Sequence, residues 1–60
     1  MNITETYDRF TFAVEAIQEG EMFSCHIPAY DIFFAAKNVE DIKRKARALV
    51  QTFCNVYGIR

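Results

Sequence analysis

Between residues 9 and 17 apolar and polar side chains alternate, with Phe10, Phe12, Val14 and Ala16 on one phase and Arg9, Thr11, Ala13 and Glu15 on the other. A period of two built from aromatic and β-branched residues predicts a half-buried strand. Gln18, Glu19, Gly20 and Glu21 then supply a polar turn in which Gly20 can take positive φ, and residues 22–27 alternate again with Phe23, Cys25 and Ile27 on the apolar phase. The pair reads as a β-hairpin. Pro28 has no backbone N–H to give to a ladder and closes the second strand, leaving residues 28–31 as a connection into a third apolar run, 32–36. In that run Phe33 and Phe34 must point to opposite faces. Ile32, Phe34 and Ala36 form the more apolar set and are assigned inward, with Phe33 and Ala35 outward.

At Asn38 the period changes. Asn38 is a good N-cap, Glu40 and Asp41 put negative charge in the first turn, and Asp41 at the third position makes a weak capping box. Val39, Ile42, Ala46, Leu49, Val50, Phe53, Val56 and Tyr57 follow the three-and-four spacing of one buried helical stripe, and Gly58 is a natural stop. About 19 residues at about 1.5 Å each give a rod of about 28 Å, long enough to cross a three-stranded sheet. The expected fold is therefore α+β: a three-stranded antiparallel β-β-β meander with one C-terminal helix packed on one face, a single small domain over residues 1–60.

Length limits what such a fold can bury. A chain of 60 residues hides only about 60% of the surface its unfolded form exposes, so one core is the ceiling and a second subunit is a natural supplement. Hydrophobic residues at 52%, with six Phe and three Tyr, exclude a disordered chain and predict a Phe-rich core. Two cysteines, Cys25 and Cys54, permit one bridge at most, and no charged segment leads from Met1 into an apolar signal core. A cytoplasmic protein with free thiols and no membrane span is expected. The net charge of −1 hides an asymmetry. Glu5, Asp8, Glu15, Glu19, Glu21 and Asp31 against Arg9 give −5 up to residue 36, whereas Lys37, Lys43, Arg44, Lys45, Arg47 and Arg60 against Glu40 and Asp41 give +4 beyond it.

Ser24 to Asp31 packs a thiol, the only histidine, a phenol and a carboxylate into eight residues. Consecutive strand residues project to opposite faces, so Cys25 and His26 cannot form a nucleophile and base. On the buried phase Cys25 is a small hydrophobe with a disfavoured thiolate. One His and two distant Cys do not make a tetrahedral zinc site, and no metal or other cofactor is expected. Asp31 reads as a turn residue and Tyr30 as a loop aromatic with a wet hydroxyl. Carboxylates on the strands lie on solvent phases, where no pairing for acid and base roles can be argued, and no catalytic or phosphate-binding motif occurs. A non-enzymatic protein is expected.

Two surfaces remain as binding candidates. In the helix, Lys43, Arg44 and Arg47 could meet phosphates or an acidic protein; the bland counterpart is a solvated face whose lysine stems cover apolar surface, and no aromatic is interleaved with these cations. On the sheet, one helix covers one side and leaves Thr11, Ala13, Glu15, Met22, Ser24, His26, Phe33 and Ala35 on the other. That set is poor in charge for a solvated face, and Thr11, Glu15, Met22, Ser24, His26 and Phe33 are the candidate partner-binding residues; ordinary scattered surface apolar residues are the alternative.

The run EGEMFSCHIPAYDIFFAAKNVEDIKRKARALVQTF resembles the N-terminal domain of HicB-type antitoxins. Glu19-Gly20 stands at the family's acidic-glycine turn, Pro28 soon after its second strand, Asn38 at the helix cap where the family usually has Thr, and Glu40-Asp41 at the acidic pair. The family's Pro-Gly-Cys turn is replaced here by AYDIF in a loop one residue shorter, and Ala36 stands where a glycine usually precedes the cap. The resemblance covers about two thirds of the chain and does not extend to the family's DNA-binding domain. It implies a non-enzymatic protein that binds and masks a small toxin ribonuclease with a double-stranded-RNA-binding-like fold; a homodimer is expected separately, from the small size and from the open face and unpaired edges that one helix leaves on a three-stranded sheet. A small nucleic-acid-binding protein using the basic helix, and a mobile-element inhibitor of a host or defence enzyme, are the alternatives.

Overall fold

Residues 1–58 are described by a computed structural model, in the order β1 (Asn2–Tyr7), β2 (Phe10–Glu19), β3 (Met22–Ile27), β4 (Ile32–Ala36) and α1 (Val39–Tyr57). The sheet has four strands, paired antiparallel as β1-β2-β3-β4, rather than the expected three. The added strand, β1, escaped the hydrophobic pattern because its inward phase is Ile3, Glu5 and Tyr7, with a charge in the middle. Its β-branched content, Ile3, Thr4 and Thr6, nonetheless favours a pleated strand. Its start is tied to β2 from both sides, the Met1 amine donating to the Ala16 carbonyl at 2.9 Å and the Ala16 N–H to the Met1 carbonyl at 2.8 Å.

Turn chemistry accounts for the connections. Asp8 and Arg9 make a two-residue turn between Tyr7 and Phe10, with Asp8 at φ 57, so β2 begins one residue later than the alternation suggests. Gly20 and Glu21 make the second such turn, with Gly20 at φ 65, and Gln18 and Glu19 belong to β2 rather than to the loop. Asp31 closes the four-residue connection into β4 at φ 53, a left-handed conformation that Asp tolerates better than most side chains.

The core lies between the sheet and α1. Ile3, Phe12, Val14, Ala16, Cys25, Ile27 and Ala36 come from the strands, and Ile42, Ala46, Val50 and Cys54 from the helix. The phase of β4 is as the pattern predicts: Ala36 is buried, Ile32 and Phe34 pack against the core, and Phe33 stays 70% exposed. Cys25 and Cys54 are both free thiols. On the helix the buried apolar set is a single i, i+4 row, so the expected stripe is too wide. Val39, Val56 and Tyr57 are exposed, because α1 meets a twisted sheet along a narrow seam and its last turn runs past it. Phe53 also differs from expectation. Phe53 is half-buried and packs on Tyr30 at a centroid distance of 5.0 Å, while Tyr30 stands edge-on to Phe12 at 6.2 Å, so the ring of this loop aromatic is part of the packing. Gly58 ends α1 at φ 70, its N–H donating to the Cys54 carbonyl.

Phe12 carries the sheet's largest buried side chain, at 4% exposure. Phe12→Ala is expected to destabilise the protein by about 3 to 5 kcal/mol in urea denaturation, whereas Phe33→Ala should cost about 1 kcal/mol or less. The opposite order would mean that β4 presents its other face to the helix.

Candidate functional site

The uncovered side of the sheet gathers the outward phases of all four strands. Thr11, Glu15, Met22, Ser24, His26 and Phe33 share this face, as the alternation predicts. Further residues join them, among them Asn2 opposite Glu15 and Glu19 opposite Met22. Ile17 is 68% exposed, and Thr4 and Thr6 come from the additional strand. Ile17 was legible in the β2 alternation once the strand is extended to Glu19, since it stands opposite Ser24.

Register brings together side chains that are far apart in the chain. Glu15 is the cross-strand partner of His26, and His26 that of Phe33. The imidazole stacks on the Phe33 ring at 4.2 Å with 8° between the planes. Its Nδ1 lies 3.4 Å from Glu15 Oε1 and its Nε2 lies 3.1 Å from Asp31 Oδ1. Asp31 therefore does more than turn the chain, and Glu15 is paired where no pairing was foreseen. Counting outwards from the Gly20-Glu21 turn would have placed Glu15 opposite His26.

This grouping has a clear chemical meaning. Both ring nitrogens face carboxylates, Nδ1 that of Glu15 and Nε2 that of Asp31. Cys25 is buried on the other side of the sheet, where burial pushes its thiol up from the ordinary range. Glu15 and Asp31 sit at opposite ends of the ring and cannot converge on one cation; among the described residues no cluster of His, Cys, Asp and Glu is suited to hold a metal. The arrangement orients a ring and two carboxylates at a surface.

The basic candidates on α1 are arranged differently from a phosphate-binding patch. Arg44 is paired with Asp41 Oδ1 one turn earlier, and Lys45 reaches Asp41 Oδ2 at 3.3 Å and the Ala35 carbonyl at 3.0 Å. Lys43, Arg44 and Arg47 line a shallow groove of about 500 Å³, but Glu5 of β1 and Glu40 line it with them. Mixed signs at this spacing weaken the attraction for a polyanion. Among the described residues, no helix is long and apolar enough to cross a membrane.

Asp41 holds the helix start together. Its N–H donates to the Asn38 side chain at 2.8 Å, and its carboxylate accepts from the Lys37 N–H at 3.1 Å, so the reciprocal cap reaches one residue further back than the usual box. The chain matches no protein-family model, no curated protein and no solved structure.

The Arg44 guanidinium, with help from the Lys37 N–H and Lys45, holds the Asp41 carboxyl down to about 2. An unperturbed Asp titrates near about 3.9, so the stabilisation is complete above about pH 4 and is lost as pH falls through about 2. Asp41→Asn should be less stable than the native protein at pH 7 and should lose less stability on acidification from about pH 4 to 2. Parallel acid slopes for the two proteins in urea titrations would contradict this assignment.

Proposed function

We propose that this chain is a non-enzymatic protein-binding module that inhibits its partner by covering it, and that the uncovered face of the sheet is the surface in contact. One observation carries the reading: this face exposes Ile17, Met22 and Phe33 and carries no lysine or arginine on its strands. Large exposed apolar side chains on a face whose strands lack cations suit a protein contact. Glu15 and Asp31, held in place by His26, then offer fixed acceptors to donors on the partner.

The resemblance to HicB-type antitoxins points in the same direction, since that family binds and masks a small toxin ribonuclease. A nucleic-acid-binding role fits less well, because two of the helix cations are engaged by Asp41 and the others share their groove with Glu5 and Glu40.

Co-expression with the product of the adjacent reading frame, followed by size exclusion, tests the reading. A stoichiometric complex is expected that Phe33→Glu or Ile17→Glu disrupts and that combined Lys43→Glu and Arg47→Glu leaves intact. Fluorescence anisotropy with short single- and double-stranded RNA is expected to show no binding at low salt. RNA binding that falls steeply with salt and disappears in the helix variant would replace this proposal with the nucleic-acid one.

A further inference from the structure

The β4 edge is unlike the other edge of the sheet. β1 carries Glu5 and three polar neighbours along its length, whereas β4 reads Ile-Phe-Phe-Ala-Ala, with no charge and no proline. Exposed edges in soluble proteins are ordinarily blunted by such residues, because their free N–H and C=O groups accept another strand. Among the described residues the one guard is the Lys45 ammonium on the Ala35 carbonyl, a contact at the surface. Both faces of β4 are also incompletely covered. Phe34 and Ile32 point to the helix side and remain half-buried, and Phe33 on the other side is 70% exposed.

The residues bordering the strand are complementary to themselves. Asp31 precedes β4 and Lys37 follows it, and Asn38 beyond is still extended at φ −153 and ψ 178. We propose that two copies of this chain pair antiparallel through their β4 edges, about a two-fold axis at Phe34, to form one eight-stranded sheet. That register sets Asp31 of each copy against Lys37 of the other, so opposite charges meet at both ends. Phe34 meets its own counterpart, an aromatic cross-strand pair, and Phe33 lies over the small Ala35 of the other copy. A two-fold axis perpendicular to the sheet keeps both helices on the same side.

The dimensions permit it. Four strands about 4.8 Å apart make each half about 19 Å wide, which leaves room side by side for two helices about 10 to 12 Å in diameter. A five-residue ladder is short, so the pairing is of micromolar strength and extends the uncovered face rather than occupying it. A second copy is favoured over a strand from another protein because the charge order Asp31 to Lys37 is matched by its own reverse.

Sedimentation equilibrium over a concentration series tests the proposal on the whole chain. The native protein is expected to dimerise in the micromolar range. Lys37→Glu, which places like charges together at both ends, should weaken the dimer about tenfold or more. Ile17→Glu, on the face but two strands from the edge, should leave it unchanged. Hydrogen exchange on the native protein supplies a reading that needs no variant: alternate amides of β4 should gain protection as concentration rises, while those of β1 should not. A monomer at several hundred micromolar overturns the proposal, as does a dimer that Ile17→Glu dissociates or that Lys37→Glu leaves intact.

Discussion

A four-stranded sheet has two faces and two edges, and this chain has a single helix with which to cover them. Everything else in the molecule is an answer to that shortage. Helix α1 seals one face with a narrow row of small and branched residues, Ile42, Ala46, Val50 and Cys54, against strand residues of similar size. Only one of the six phenylalanines, Phe12, is fully buried in that seam. The others lie at its margins or outside it, so much of the aromatic content that predicted a Phe-rich core serves other surfaces.

The same shortage organises the charges. Cations concentrate on the helix side, and Asp41 ties two of them, Arg44 and Lys45, to the point where β4 passes into α1. Acidic residues concentrate on the sheet and its turns. The uncovered face therefore keeps apolar residues beside carboxylates without competing cations on its strands, and its one histidine lies between two of those carboxylates. A cluster that looks reactive in the linear sequence becomes, once folded, a buried thiol on one side and an arranged polar group on the other.

How far the sequence reveals this depends on which physical signal each element carries. Strands β2, β3 and β4 and the helix announce themselves through period and caps, and Asn38, Gly58 and Gly20 stand where their backbone chemistry requires. Strand β1 does not, because Glu5 occupies an inward position and interrupts the alternation; its pairing is decided by β2, which offers an open edge. The width of the helical stripe was overestimated for a related reason. Val56 and Tyr57 have the correct spacing for burial, but among the described residues no strand or loop extends far enough to cover them. The Glu15, His26 and Asp31 group was hidden because it is created by register, which follows from the length of the Gly20-Glu21 turn and not from residue type.

The meander has a further consequence. Each strand pairs with its neighbour in sequence across a connection of two or four residues, so little loop entropy opposes the assembly of the sheet. The packing of α1 on β1 and β3 joins more distant parts of the chain. Such a topology has low contact order and belongs to the faster-folding mixed α and β domains. Most of its search is local, within hairpins of adjacent strands.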